Sequence, residues 1–475
     1  YLPLLLFALV ATLTGCATAV VTPQTEEVFG SAMAREVEDQ IGLYRDPQLA
    51  AYVDAVGQRL VTALGNSPYT FRFHVVDQAE PNAFASPGGF IYVSRGLMAQ
   101  FNSEAELAGV LAHEISHVTR RHHTRQAGRS LGAGLLTLPG RAVGVVNQDL
   151  GNMINTPIKY AGQVYLSSFS RGQETEADQY GMRLAAAAGY DPLALGDALQ
   201  GIENVLFTLT GEKHQATFFD THPTTPTRVA DIRRQAAALQ VQQRPPVADR
   251  AQLLATLDGL WWGPQNPQQG LFDAETFRSV DMDFAVTFPQ GWKTINTPRF
   301  VGAAEPGGDA YLALGSSSGA GTPAEYGAAL AQRMRSEAGL EPTINRGFEI
   351  GGWPAHVVRY DDDSGPETVS LYYVFVQSPR ESYAFIAMGL LQHREVMRQA
   401  VMSLRPLTAA ERNQVSGLRL RVADVKAGES LDAMAGRLGN EWPQTLTRAM
   451  NGIAPEESAA GATKYVRRET YRPRQ

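Results

Sequence analysis

Two histidines and a glutamate in the stretch 112–117 have the spacing of a metal-dependent hydrolase site. Their order is His113-Glu114-x-x-His117, which is the H-E-x-x-H pattern. On a helix, residues four apart lie about 40° apart around the axis, so both imidazoles can reach one metal ion. Glu114 follows the first histidine and can direct its carboxylate at a water molecule beside that metal. The alternative is a solvated helix with two incidental histidines, because so short a pattern also occurs by chance.

The pattern lies within a predicted amphipathic helix from about residue 103 to residue 125. Ser103 and Glu106 have the spacing of a capping box, which favours a helix start. An apolar face at helical spacing follows, made of Leu107, Val110, Leu111 and Ile115. If the helix continues, His122 and His123 lie at about 180° and 80° from His113, so we expect them to be solvated rather than ligands.

A third metal ligand is available in the acidic stretch 174–178. Glu174 and Asp178 are four residues apart and share one face of a predicted helix. Catalytic zinc commonly takes three protein ligands and leaves a fourth position for water. We therefore predict one Zn²⁺ per chain, held by His113, His117 and Glu174, with Asp178 hydrogen-bonded to a ligand histidine. The alternative is an ordinary acidic helix start.

These motifs, followed by Ala188-Gly189-Tyr190-Asp191-Pro192, resemble those of the zinc peptidases related to the CaaX prenyl endopeptidases and HtpX, in their periplasmic BepA/LoiP-like branch. Two further stretches match, namely residues 81–93 and Thr221-His222-Pro223 with Arg228. The four motifs stand in the family's order across residues 24–240. The resemblance implies a mainly α zincin-type (gluzincin) peptidase domain with a small edge-exposed sheet.

The resemblance also implies roles for residues outside the first two motifs. His222 is expected near the zinc, where it either stabilises the oxyanion or occupies the fourth position and holds the enzyme inactive; otherwise it is an exposed residue of a helix cap. Arg228 is expected to orient substrate or to pair with a nearby acid. A strand before the zinc helix is expected at a sheet edge, binding substrate by β-augmentation, unless it is a buried hairpin strand. Its substrate-binding residues would be Phe90, Ile91, Tyr92 and Val93.

Composition and the N-terminal sequence bear on class and location. The chain has 475 residues, a net charge of −7 and one cysteine. The absence of a dense Lys/Arg block argues against nucleic acid as a partner. Residues 2–13 are apolar, and Leu13-Thr14-Gly15-Cys16 resembles a bacterial lipobox. This predicts a periplasmic protein anchored to the outer membrane through lipid on Cys16; the alternative is a plain secretory signal with an incidental cysteine.

We predict seven segments along the chain. They are a lipoprotein signal (1–16), the peptidase domain (17–245), a linker (246–271), an α/β domain (272–406), a second linker (407–417), a LysM-like module (418–466) and a basic tail (467–475). Residues 288–292 resemble the opening of PsbP/Mog-type α/β domains. The LysM-like module, of βααβ form, has a degraded end, so peptidoglycan binding and a packing role are both open. The Gly-rich segment 128–165 either covers the cleft or forms two short helices joined by loops.

The implied function is zinc-dependent peptide-bond hydrolysis in the bacterial cell envelope. Glu114 would move the proton of the attacking water, and the substrates would be misfolded or stalled outer-membrane proteins. Two other functions stay open. One is a mostly latent peptidase that acts as an assembly factor or chaperone, and the other is a peptidoglycan-anchored envelope protein.

Overall fold

The computed structural model describes residues 21–125, 169–211, 218, 222, 227–242, 249–317, 321–365 and 367–473. Residue contacts divide the chain into two compact units. The first unit holds the described residues up to 264 together with 418–467, and the second holds 265–417 and the residues after 467. The predicted signal with Cys16 and the segment 128–165 lie outside the described residues.

The first unit opens with two helices, α1 (Pro23–Gln40) and α2 (Pro47–Leu64). Each begins with a proline directly after a capping side chain, which is Thr22 for α1 and Asp46 for α2. Proline suits the first helical turn because its missing N–H would have no partner there. The buried face of α2 is made of Leu49, Val53, Val56, Gly57 and Leu60, whereas α1 buries Glu26 beside Gly30, Ala34 and Val37.

A three-stranded sheet follows, made of β1 (Arg72–Val76), β2 (Ala83–Ser86) and β3 (Phe90–Ser94). The strand order is β1-β3-β2, with β3 parallel to β1 and antiparallel to β2. The prediction that Phe90, Ile91, Tyr92 and Val93 form an edge strand is therefore wrong. Both sides of β3 are paired and all its side chains are buried. The residue pattern of a strand does not show which other strands lie beside it. Here β1, which comes earlier in the chain, pairs with the side of β3 that was expected to be free.

The described residues that follow the sheet in this unit include six longer or shorter helices. They are α3 (Arg95–Met98), α4 (Glu104–Thr119), α5 (Arg171–Ala187), α6 (Ala194–Thr210), α7 (Arg228–Ala236) and α8 (Arg250–Leu257). Helix α4 starts at the predicted N-cap, where Ser103 Oγ accepts from the Glu106 N–H, and it is buried along most of its length. It packs against α5, α6 and β2. A Cβ atom on Gly181 of α5 would lie 3.0 Å from the Cα atom of His113, so glycine permits this close packing.

The chain then enters strand β4 (Trp261–Trp262) and continues into the β-rich second unit. Its strands include β5 (Leu271–Asp273), β6 (Thr276–Ser279), β7 (Phe284–Thr287), β8 (Lys293–Asn296), β9 (Phe300–Ala304) and β10 (Ala310–Ser316). Helix α9 (Pro323–Ala338) precedes β11 (Ile344–Ile350), β12 (Trp353–Asp362), β13 (Val369–Gln377) and β14 (Ser382–Leu390), and α10 (Arg394–Met402), β15 (Arg405–Pro406) and α11 (Ala409–Gln414) follow. One sheet has the order β11-β12-β13-β14-β10-β9-β8, and another has the order β15-β7-β6-β5. The chain is thus a helical domain followed by a β-rich region.

The last elements return to the first unit. They are β16 (Ser416–Val425), α12 (Leu431–Leu438), α13 (Gln444–Asn451) and β17 (Gly461–Thr470), in the order β-α-α-β. Strand β16 lies between β17 and β4, and α13 packs against α6. The predicted linker 246–271 contains α8 and β4 because Leu253, Leu254, Leu257 and Trp261 are buried. Among the described residues, no helix combines the length and apolar character that a bilayer span requires.

Candidate metal centre

Four buried side chains converge at the centre of the helical domain. They are His113 and His117 from α4, Glu174 from α5, and His222 from the chain before α7. One nitrogen or oxygen atom from each lies within 4.8 Å of the others. Helix geometry aligns the two histidines, and the close α4–α5 packing brings Glu174 to them. The predicted ligands therefore lie together, and His222 lies among them.

The distances in this cluster suit donors that share one cation. The Nε2 atoms of His113 and His117 are 2.9 Å apart, and Nδ1 of His222 lies 3.2 Å from Nε2 of His113. The Glu174 carboxylate lies 3.2 Å from Nδ1 of His222 and 3.5 Å from Nε2 of His117. Imidazole nitrogens repel one another unless a proton or a cation lies between them. Three imidazoles and one carboxylate are a donor set that zinc prefers.

Glu114 lies beside this cluster and is fully buried. Neither of its carboxylate oxygens has a hydrogen-bond partner among the described residues, and Oε1 lies 3.4 Å from Nε2 of His222. Burial raises the pKa of Glu114, although His222 and His113 oppose that shift. A buried acid without partners is costly for the fold, so its presence indicates a chemical role.

His113 is supported by a buried ion pair. Its Nδ1 atom lies 3.0 Å from Oδ1 of Asp178. Asp178 in turn accepts two hydrogen bonds from Arg228, at 2.9 and 2.8 Å. Burial alone would raise the pKa of Asp178, but Arg228 and His113 outweigh it and hold that pKa well below its usual range. The carboxylate therefore stays charged beside Nδ1 of His113, in the place where the sequence predicts a partner for a ligand histidine.

Arg228 pairs with two buried carboxylates, those of Glu174 and Asp178. It is buried, and its Nη1 atom also lies 2.9 Å from the Glu174 carboxylate and donates to the His222 carbonyl at 3.2 Å. The prediction that Arg228 pairs with a nearby acid is confirmed by these contacts. The alternative, contact with substrate, stays a prediction, since these contacts leave it untested.

His117 is supported by a residue that the sequence reasoning assigned to solvent. His122 is buried, its Nδ1 lies 2.9 Å from Nδ1 of His117, and its Nε2 lies 3.1 Å from Oε2 of Glu176. The helical extrapolation failed because α4 ends at Thr119 and Arg121 has a left-handed φ of 55°. That turn redirects the chain towards the cluster. The sequence does show a histidine five residues after His117. It does not show that the turn at Arg121 would point this side chain towards the cluster.

Aromatic rings line the cluster. Phe169 stacks on His117 with ring centroids 3.9 Å apart, and Phe218 stacks on His222 at 4.5 Å. Burial would lower the pKa of His222, but the carboxylates of Glu174 and Glu114 outweigh it and raise that pKa. Burial lowers the pKa of His117 well below its usual value, which favours the neutral form that binds metal.

Comparisons with known proteins agree with this geometry. Residues 47–236 match the model of Peptidase family M48. The matched residues include all four members of the buried cluster. The buried cluster of His113, His117, Glu174 and His222 is a zinc-type site, and it lies within the region similar to family M48.

Three relatives show how far the similarity extends. A Beta-barrel assembly-enhancing protease from Yersinia pestis is 30% identical over 249 residues, which cover 51% of this chain and 49% of that protein. Mitochondrial metalloendopeptidase OMA1 from Schizosaccharomyces pombe is 30% identical over 193 residues, covering 40% and 54%. Metalloprotease LoiP from Escherichia coli is 27% identical over 184 residues, covering 38% and 69%. The chain spans about half the length of the first two relatives.

Proposed function

We propose that the protein is a zinc-dependent endopeptidase in which Glu114 is the general base. The observation that carries the proposal is the buried Glu114 carboxylate, which lacks hydrogen-bond partners among the described residues and lies beside three imidazoles and Glu174. His113, His117 and Glu174 would hold the zinc, which lowers the pKa of a water molecule and polarises the scissile carbonyl. The three ligands come from two helices packed together, so they are positioned before metal arrives.

Two residues beside the metal ligands would act during catalysis: Glu114 would transfer the proton, and His222 would stabilise developing charge. Glu114 takes the proton from the attacking water as the carbon–oxygen bond forms. It then delivers that proton to the amine nitrogen as the carbon–nitrogen bond breaks. Burial, which raises the pKa of Glu114, helps it to hold the proton between the two events. His222 would stabilise the charge on the carbonyl oxygen when its ring turns towards it.

A second candidate function is a peptidase that is latent at rest. All four potential ligand atoms lie within 4.8 Å of one another, and three histidines plus Glu174 would complete a tetrahedral site. Structural zinc sites are closed in this way, whereas catalytic sites keep one position open. Activity would then require His222 to move away. A latent enzyme of this kind could also act mainly as an assembly factor or chaperone.

The polypeptide substrate would pair with β2, one of the two edge strands of the sheet, whose side chains are buried and which packs against α4. In an antiparallel pair, alternate residues direct their backbone groups away from the partner strand. Ser94 N–H donates to the Asn82 carbonyl, so Asn82 and Phe84 face β3, whereas Ala83 and Ala85 face outward. An extended peptide could add there by backbone pairing.

The cellular setting is proposed from the relatives and the N-terminal sequence. The assembly-enhancing proteases are named for β-barrel assembly, which supports outer-membrane proteins that are misfolded or stalled as substrates. The lipobox-like sequence at Cys16 supports a lipid anchor in the outer membrane. Incorporation of labelled palmitate in the wild type, and its loss in Cys16→Ser, would establish that anchor. Binding of peptidoglycan by the LysM-like residues 418–466 is a separate proposal that a sedimentation assay with purified sacculi tests.

The peptidase proposal is tested with Glu114→Gln, which keeps the shape of the side chain but cannot accept a proton. We expect zinc content equal to wild type and casein cleavage reduced by at least about 10³-fold. Glu36→Gln is the matched control, because Glu36 is exposed on α1. Cleavage by Glu114→Gln at the wild-type rate would remove Glu114 from the mechanism.

The two roles of His222 are separated by His222→Ala. If His222 stabilises the oxyanion, the variant binds zinc and cleaves casein about 10²-fold more slowly than wild type. If His222 closes the site, the variant cleaves casein faster than wild type. Zinc content measured in parallel distinguishes both results from loss of the metal.

A further inference from the structure

A lysine from the C-terminal strand is buried against the loop that leads into α4. Lys464 on β17 has no exposed surface, and its Nζ atom donates to the carbonyls of Ala99 at 3.0 Å, Gln100 at 3.1 Å and Phe101 at 2.9 Å. These carbonyls lie between the end of α3 and the start of α4. An ammonium group has three N–H donors, so each donor meets one acceptor.

A second cation holds the same loop. Arg250 Nη1 donates to Asn102 at both Oδ1 and the carbonyl, at 2.8 and 3.1 Å. The Asn102 N–H donates to Oε2 of Glu106 at 2.7 Å, and the Glu106 N–H donates to the N-cap Ser103. The chain that enters α4 is therefore fixed by Lys464 and Arg250, which come from outside the helix.

Lys464 is itself held in a defined place. Asn451 Nδ2 donates to the Lys464 carbonyl at 2.9 Å, and the Lys464 N–H donates to Asn451 Oδ1 at 2.7 Å. Asn451 is the last residue of α13, which packs against α6, and α6 packs against α4. The C-terminal elements therefore reach α4 by two routes, through the loop before it and through a neighbouring helix.

A buried ammonium is an expensive way to fill space. Burial lowers the pKa of Lys464 well below its usual value, and an apolar side chain of the same volume would pack without that desolvation. Unlike an apolar side chain, the lysine ammonium makes directional hydrogen bonds. Its three N–H groups fix the positions of three backbone carbonyls. Helix α4 carries His113, Glu114 and His117, so a shift at its start displaces all three.

We propose that the β-α-α-β elements of the C-terminal region are an internal clamp on the M48 domain, with Lys464 as a positioning residue for α4. The inference rests on the proposed metal site. The ammonium holds the loop 99–101, the loop sets the start of α4, and α4 sets the metal ligands. The C-terminal region is then part of the peptidase and not only a tether.

The test compares Lys464→Met with Lys426→Met, since Lys426 is exposed in the same C-terminal region. The primary readouts are the affinity for Co²⁺ and the visible spectrum of the Co²⁺-loaded full chain, which report ligand geometry. We expect Lys464→Met to bind Co²⁺ about tenfold more weakly with a changed spectrum, and to cleave casein about tenfold more slowly per bound zinc. Lys426→Met should match wild type. Wild-type Co²⁺ affinity and spectrum in a folded Lys464→Met protein would overturn the proposal.

Chemical rescue keeps the proposal testable if Lys464→Met does not fold. The chain has one cysteine, so Lys464→Cys in a Cys16→Ser background has a single thiol. Alkylation of the unfolded chain with bromoethylamine restores an ammonium at about the length of lysine, whereas bromopropane adds a neutral chain of similar size. Recovery of Co²⁺ affinity and spectrum only with the amine supports the clamp, and equal recovery with both reagents overturns it. Because this readout is independent of cleavage, an inactive wild type would refute the peptidase proposal and leave the clamp standing.

Discussion

The two histidines of α4 lie four residues apart, yet their second ring nitrogens meet different partners. Nδ1 of His113 lies 3.0 Å from a carboxylate oxygen of Asp178, and Nδ1 of His117 lies 2.9 Å from an imidazole nitrogen of His122. If both ligands bind metal through Nε2, both must donate from Nδ1. His122 must then accept through Nδ1 and carry its proton on Nε2, which faces Glu176 at 3.1 Å.

This difference predicts which histidine contributes more to metal affinity. A charged acceptor raises the basicity of a ligand histidine more than a neutral imidazole does. Asp178 is buried with Arg228, so solvent screens their interaction little, whereas the Glu176 side chain is 23% exposed and shares its charge with two surface arginines. The His113 side should therefore contribute more to metal affinity than the His117 side.

The largest effect is expected from Asp178→Asn. The substitution keeps the shape of the side chain but removes the negative charge that His113 and Arg228 share. We expect zinc affinity to fall about 100-fold, equivalent to about 2.7 kcal/mol, in competition with a chelator. The free energy of unfolding of the zinc-free protein should also fall by about 3 kcal/mol, because Arg228 loses its bidentate partner in the interior.

A control for this substitution exists in the same domain. Asp197 pairs with Arg233 at 3.4 Å, and both side chains are more than half exposed. Asp197→Asn should change zinc affinity less than twofold, since exposed ion pairs contribute about 0–1 kcal/mol. If Asp178→Asn bound zinc as tightly as Asp197→Asn, the carboxylate would have no role in supporting His113.

The Asp178 side of the site was predictable from sequence, and the His122 side was not. Residues four apart on α4 and on α5 align by helix geometry alone, which identified His113, His117, Glu174 and Asp178. His122 depends on where α4 ends and on the left-handed turn at Arg121, and helix ends are poorly defined by sequence.

A smaller effect is expected from His122→Ala, which removes the acceptor for Nδ1 of His117. Zinc affinity should fall about tenfold, because the imidazole loses its orientation but keeps its place on α4. His123→Ala is the matched control, since His123 is the next residue in the chain and packs edge-on against Phe169 rather than hydrogen-bonding to a ligand histidine. Chelator competition on both variants measures the difference. A loss in His122→Ala as large as in Asp178→Asn would reverse the proposed order.

Contacts between residues that are far apart in the chain also could not be predicted from local sequence patterns. The family resemblance of residues 81–93 predicted a strand at residues 90–93, but its central position depends on parallel pairing with residues 72–76. Lys464 contacts residues more than 360 positions earlier, and nothing in its local sequence indicates burial. Local patterns therefore identified elements, whereas their neighbours followed from tertiary packing.

The smallest effect is expected from Glu176→Gln, and it should depend on pH. Burial would raise the pKa of Glu176, but hydrogen bonds from His122 and Arg120 outweigh it and lower that pKa from 4.5 to about 2. A carboxylate with a lowered pKa in the folded state stabilises the fold fully above pH 4.5 and loses that contribution as the pH falls towards 2. Wild type should therefore exceed Glu176→Gln by about 1 kcal/mol in free energy of unfolding at pH 7, with the difference shrinking below pH 4.5. Urea unfolding of the zinc-free proteins at pH 7, 5, 4 and 3 measures this difference. A difference that stays constant or grows on acidification would show that the Glu176 charge does not stabilise the fold.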